Sequence, residues 1–207
     1  MVVIVDTGLG NQKSVANMAK RLGVPARISA TPEHIRHADR LILPGVGSFD
    51  AGMKRLNERG IVPPLEERVL GDGVPLLGIC LGMQLLTRRS DEGTLPGLGW
   101  VQADTVAFRF AGNAAGPRLP HMGWDEVCPA DSCEFFQPIE GESRFYFVHS
   151  YHVDCDNPED VLATTHYGYD FVSAFRYRNI IGVQFHPEKS HVYGMAFMQS
   201  FCGVESS

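Results

Sequence analysis

The run Leu41-Ile42-Leu43-Pro44-Gly45 is apolar at every position and is stopped by a Pro-Gly pair, and no other feature limits the choice of fold as strongly. A strand exposed on one face alternates apolar and polar residues, so a continuous apolar run of this length has to be covered on both faces. Doubly covered strands belong to parallel sheets, which need helical crossovers. The flanking segments supply them: 2–6, 26–29 and 40–43 read as strands, and 11–22 and 32–37 as the helices between. Residues 48–58 and 64–70 continue as helices, and 75–79 is another apolar strand leading directly into Cys80.

Beyond residue 100 the style changes. Segments 100–108, 124–127, 144–151, 161–165, 172–176 and 180–185 read as strands joined by turns, which favours antiparallel pairing. A last helix is expected over 190–201, with apolar spacing at Val192, Met195, Ala196 and Phe201, and its methionines are expected in the core. The stretch 110–120, rich in Gly, Ala and Pro, reads as a loop. The fold class expected is α/β, an open doubly wound, mostly parallel sheet with an added antiparallel portion, in a single domain over 1–207.

Composition narrows the partners. With 44% hydrophobic and 20% charged residues the chain can bury a sizeable core, and a net charge of −6 without a basic run argues against nucleic acid or an anionic membrane surface. The opening MVVIVDTG is apolar for only a few residues and lacks a basic leader, so it reads as a first strand rather than a signal peptide. No stretch approaches the roughly 18 apolar residues of a membrane span, and a cytoplasmic location is expected. Five cysteines, Cys80, Cys128, Cys133, Cys155 and Cys202, are irregularly spaced and odd in number, which reads as reduced thiols; Cys128 and Cys133 lack a second ligand pair, so no metal is expected.

Two short motifs carry chemistry. Gly78-Ile79-Cys80-Leu81-Gly82-Met83-Gln84 sets a cysteine between glycines where a buried strand meets a helix, the shape of a nucleophile elbow. Such a turn exposes the thiol to the positive end of the helix and frees the Leu81 amide to donate to an oxyanion. A cysteine in this setting also has a plainer reading as a buried packing residue. Near the C-terminus, Val183-Gln184-Phe185-His186-Pro187-Glu188 ends an apolar strand, and there His186 is the natural base, with Glu188 placed to orient its ring. Gly8 and Gly10 follow the first strand, but Lys13 stands where a dinucleotide fingerprint needs its third glycine, so they read as a tight turn and no cofactor is expected.

Taken together, a cysteine elbow roughly a hundred residues before an H-P-E at a strand end resembles the class I, or triad, glutamine amidotransferases, and the resemblance spans nearly the whole chain. Pro44-Gly45-Val46-Gly47, Pro120-His121-Met122-Gly123-Trp124, Phe147-Val148-His149-Ser150-Tyr151 and His186-Pro187-Glu188-Lys189-Ser190 resemble the branch of that family that serves histidine biosynthesis. The resemblance implies glutamine as substrate and a (βα)8-barrel cyclase as partner in a 1:1 complex, receiving ammonia through an internal channel. It implies Cys80 as nucleophile, His186 as acid and base, Glu188 as orienter, and an oxyanion hole from the backbone around Gly45, Val46 and Gly47. By the same resemblance Gln84, His149, Ser150 and Tyr151 contact glutamine, and Trp124, Asp125 and Lys189 face the partner. Asp125 departs from the usual Met-Gly-Trp-Asn, and position 7, usually aromatic, is Thr7. The acid at 125 raises one other reading, a paralogous glutaminase feeding another pathway such as surface-sugar amidation; a catalytically idle binding subunit is a separate alternative, against which the intact Cys80, His186 and Glu188 count.

Overall fold

The computed structural model of the chain describes residues 1–110, 116–130, 133–136 and 143–204; part of the expected loop, 111–115, lies outside the described residues. In chain order the first half comprises β1 (Val2–Val5), α1 (Gln12–Arg21), β2 (Ala26–Ser29), α2 (Pro32–Arg36), β3 (Arg40–Gly45), α3 (Phe49–Glu58), α4 (Val62–Glu66), β4 (Leu76–Cys80) and α5 (Leu81–Leu85). The second half comprises β5 (Ala103–Ala107), β6 (His121–Glu126), β7 (Cys128–Pro129), β8 (Arg144–His149), β9 (Tyr151–Cys155), β10 (Val161–His166), β11 (Asp170–Tyr177), β12 (Ile180–Val183) and α6 (His191–Cys202).

The main sheet runs β2-β1-β3-β4-β12-β11-β10-β7, with β9 joining β11 and β5 joining β9. From β2 to β12 every pairing is parallel, and from β12 onward every pairing is antiparallel. The βαβ grammar of the first half and most of the turn-joined strands of the second are therefore present in one mixed sheet, while β6 and β8 pair antiparallel as a separate two-stranded sheet.

All four residues of β1 are buried because each face is covered. Val2 and Ile4 belong to the core layer that holds Val15 and Met18 of α1 and Phe197 and Phe201 of α6. Val3 and Val5 belong to the opposite layer, with Ile35, Phe49, Met53 and Leu56 from α2 and α3. Fully burying each such side chain contributes about 1.5–3 kcal/mol. The turn after β1 needs its glycines: Gly10 has φ +105, and a Cβ on it would lie 3.3 Å from the Gly45 backbone at the end of β3. Asn11 then caps α1 by accepting from the Ser14 amide at 3.2 Å.

Four expected elements differ in ways that matter for the site. The helix expected over 64–70 starts earlier, at Val62, and passes into a π-turn over Glu67–Gly71. The strand expected over 144–151 is two strands, because the chain leaves the small β6-β8 sheet at Ser150 and enters the main sheet at Tyr151. The last strand ends at Val183 instead of 185; Gln184 then donates its amide to the Ser173 carbonyl and His186 to that of Tyr146, which turns the chain toward β8. In α6 the buried face is Gly194, Phe197, Met198 and Phe201, while Val192 points outward at 71% exposure.

Candidate active site

Three glycines let the sheet deliver a cysteine at the C-terminal end of a central strand. Cys80 is the last residue of β4 and holds φ 54, ψ −112, a backbone conformation that costs about 1–3 kcal/mol in a residue with a side chain. A Cβ on Gly78 would lie 2.8 Å from the Gly82 carbonyl oxygen, and one on Gly82 would lie 1.8 Å from that of Leu43. Gly45 stands beside Cys80 in the β3-β4 register, and a Cβ there would meet Leu81 at 3.0 Å. The helix that follows the cysteine is only five residues long, so its effect on the sulfur comes from first-turn amides rather than from a long dipole.

The histidine arrives from the neighbouring strand. β12 pairs with β4, Val183 against Ile79, and the chain just past that strand carries His186 toward the same end of the sheet as Cys80. Its Nδ1 lies 2.7 Å from Glu188 Oε1, with the two side chains only 1% and 4% exposed. Ser190 braces this turn, donating its hydroxyl to the His186 carbonyl at 2.6 Å and accepting the Tyr146 amide at 3.0 Å. The other ring nitrogen, Nε2, is buried and makes no hydrogen bond among the described residues, although Cys80 is close enough to act on the ring electrostatically. Burial pulls the His186 pKa down, but the Cys80 sulfur and the Glu188 carboxylate outweigh it and raise the ring to about 10.

Cys80 Sγ is itself contacted by Gln184, whose Nε2 lies 3.7 Å away. Gln184 is fully buried and accepts at 3.0 Å from Gln84 Nε2, which also donates to the Tyr151 carbonyl at 3.1 Å. Gln84 thus has both amide hydrogens committed to protein and keeps its own oxygen as the available group. A cleft of about 280 Å³ opens above the sulfur, lined by Val46, Gly47, Cys80, Leu81, Gln84, His149, Ser150 and Tyr151 together with Glu92, Pro120 and Val148. That volume is below the range of about 300–1,000 Å³ usual for drug-sized ligands and suits a molecule the size of an amino acid. A larger cleft, of about 650 Å³ between Arg40, Arg176, Arg178 and Phe201, lies where β3, β4 and β12 begin and contains no thiol or histidine.

Of the three residues expected to face a partner, Trp124 and Lys189 lie together on the outer side, both against Tyr146. Trp124 is 38% exposed, stacks on His191 with ring centroids 5.3 Å apart, and meets Tyr146 edge-on. Lys189 is exposed, with Nζ 5.1 Å over the Tyr146 ring. Met122 and Val46 are exposed as well. Asp125 is half-buried and points inward, toward His121.

Residues 3–202 match the family model described as "Glutamine amidotransferase class-I". The chain belongs to the class-I glutamine amidotransferase family. Among curated relatives, the "Imidazole glycerol phosphate synthase subunit HisH" of Bdellovibrio bacteriovorus is 49% identical, aligned over 99% of this chain and 100% of its own length. The proteins named "Imidazole glycerol phosphate synthase subunit HisH 2" in Pseudomonas aeruginosa and Methanococcus maripaludis are 46% and 48% identical, each over 97% of this chain and 98% of the relative. A solved "glutamine amidotransferase" shares the fold at a TM-score of 0.75 and 24% identity, covering 99% of this chain and 100% of the other. A "putative gmp synthase subunit a protein" of Thermoplasma acidophilum does so at 0.71 and 24%, covering 98% and 92%.

In this class-I amidotransferase two further residues bear on the site without a local sequence signal: Glu92, which lines the cleft, and Gln184, which is buried behind it against the Cys80 sulfur. Gln184 sits in the expected strand beside His186, and only the end of the ladder at Val183 turns its side chain toward the sulfur. Glu92 comes from a polar loop with no periodicity; it is fixed by accepting the Phe49 amide at 2.8 Å, a contact between positions far apart in the chain.

Proposed function

We propose that this chain is the glutaminase subunit of imidazole glycerol phosphate synthase, hydrolysing glutamine to glutamate and ammonia for a cyclase partner. The observation that carries the reading is the convergence, at the C-terminal ends of two adjacent parallel strands, of a strained Cys80 and a buried His186 held 2.7 Å from Glu188, beside an amino-acid-sized cleft. The Cys80 thiolate attacks the glutamine carboxamide carbon while His186 carries the proton. The oxyanion that forms is held by backbone amides at Leu81 and along Gly45, Val46 and Gly47, each donor worth about 2.7–4 kcal/mol in comparable acyl-transfer sites. His186 protonates the leaving nitrogen, ammonia departs, and a γ-glutamyl thioester remains. Water, giving its proton to His186, attacks that thioester, and glutamate leaves as the Cys80 thiolate is restored.

Gln84, His149, Ser150 and Tyr151 grip the amino-acid portion of glutamine, and Glu92 offers a carboxylate for its ammonium. Trp124, Asp125, Lys189 and the exposed Met122 form the rim toward a (βα)8-barrel cyclase in a 1:1 complex. The acid at position 125 favours one second reading, a paralogous glutaminase that feeds another barrel partner. The test is glutamine hydrolysis by the chain alone and with a histidine-pathway cyclase subunit plus its ribonucleotide ligand, each with the Cys80→Ala variant in parallel. Strong activation that the variant lacks supports the assignment. Cys80-dependent hydrolysis with a different partner only moves it to the second reading, and no Cys80-dependent hydrolysis with any partner refutes it.

A further inference from the structure

A row of hydrogen-bonding groups runs from the rim to the cleft wall, and its protons can be counted. The Tyr151 carbonyl oxygen lies 2.8 Å from His149 Nδ1. His149 Nε2 lies 3.0 Å from His121 Nδ1, and His121 Nε2 lies 3.2 Å from Asp125 Oδ2. Both ends of the row, a carbonyl and a carboxylate, are acceptors. Three contacts in series between two acceptors need three protons, and two neutral imidazoles bring only two. Without a third proton, one contact sets lone pair against lone pair, whichever tautomers the rings adopt.

We infer that Asp125 and His121 are positioning residues for the glutamine cleft, holding its His149–Tyr151 wall through a row that is complete only when it carries one extra proton. The inference rests on the reading of the cleft as the glutamine site. The wall matters because the Tyr151 carbonyl also accepts from Gln84, which bonds Gln184, which contacts the Cys80 sulfur. An asparagine at position 125 would supply the third hydrogen from its own amide, so the row would be complete at any pH; the aspartate makes it depend on a proton.

The surroundings place that proton. His121 and His149 are 2% and 6% exposed, and His121 lies flat between Tyr167 and Phe147. The Tyr167 hydroxyl donates to the Arg118 carbonyl at 2.6 Å, so it is not directed at the row. His121, His152 and His186 act on His149 through space, and His152 is itself bonded to the Val153 carbonyl and the Tyr169 hydroxyl. Burial drives His149 down to about 3, so the proton rests on the His121 ring, beside the Asp125 carboxylate. Burial also lowers His121, against the opposing pull of Asp125, so the row fills as pH falls below the ordinary imidazole value.

The test is ¹⁵N imidazole NMR of the full chain from about pH 5 to 8, native against Asp125→Asn. In the native chain, one imidazole N–H of the His121–His149 pair should appear as pH falls, with a matching shift at Tyr151. In Asp125→Asn the pair should keep two N–H signals with no step. Identical titrations in the two chains would overturn the inference. In glutamine turnover by the complex, the native KM should rise about tenfold as the row empties, the equivalent of one hydrogen bond, while the KM of Asp125→Asn stays flat; a KM step shared by both chains would count against it. If the NMR step appears but hydrolysis never depends on Cys80, the proton row stands and the glutaminase assignment fails.

Discussion

Cys80 and His186 carry opposite tendencies that their surroundings settle. The cysteine occupies a costly backbone conformation, and the histidine is buried where a cation is ordinarily disfavoured; Glu188 and the sulfur reverse that preference and raise the ring to about 10. Because this pKa lies above the unfolded value of 6.5, the charged ring stabilises the fold fully below pH 6.5, and that stabilisation is lost as pH rises through about 10. Glu188→Gln should therefore lower the thermal midpoint at pH 7, and the gap from the native chain should close as pH approaches 10. A gap that widens with pH would contradict the ion pair. His149 has the opposite sign: its depressed pKa means that stability is retained above 6.5 and falls on acidification toward about 3. At the cleft, Glu92→Gln should raise the KM for glutamine by roughly tenfold or more with little change in kcat, the pattern for a lost charge-assisted contact made equally in ground and transition states. A fall in kcat at constant KM would place Glu92 elsewhere in the reaction.

Among the elements, the β3-β4-α5 corner is the least tolerant. A methyl on Gly82 would sit 1.8 Å from the Leu43 carbonyl oxygen, so Gly82→Ala has to move α5 or β3, and the cleft moves with either. Loss of about 1–3 kcal/mol in chemical denaturation is expected, accompanied by loss of glutamine hydrolysis; unchanged stability would show that the corner yields. This corner was legible in the sequence because its signals are local: the apolar runs of β3 and β4, the glycine spacing around Cys80 and the Pro-Gly stop. H-P-E was legible for the same reason. The split of 144–151 was not, since Phe145 to Val148 are strand formers and a single serine, with no Gly or Pro beside it, is too weak a turn signal to mark Ser150 as the crossing between two sheets. Val192 was misplaced because α6 is apolar nearly all round, so spacing alone does not select its buried face. Glu92 and Gln184 depend on pairings distant in sequence, which no local pattern announces.

At the scale of the molecule, the C-terminal ends of β3, β4 and β12 gather the thiol, the imidazole and the cleft, and the small β6-β8 sheet adds an exposed apolar rim. Met122, Trp124 and Val46 are exposed there, and Lys189 lies over Tyr146 beside them. If this rim meets the cyclase, Trp124→Ala should weaken the complex by about 2 kcal/mol or more, a thirtyfold rise in Kd of the order expected for a buried aromatic anchor, read by titration calorimetry. An unchanged Kd would move the interface elsewhere. Whether Cys80 forms a covalent acyl intermediate with glutamine is read by rapid acid quench of the complex turning over glutamine, followed by peptide mass spectrometry. A γ-glutamyl adduct is expected on the peptide carrying Cys80, and none in Cys80→Ala. Ammonia release with no adduct on that peptide, or with the adduct on another cysteine, would contradict the covalent role of Cys80.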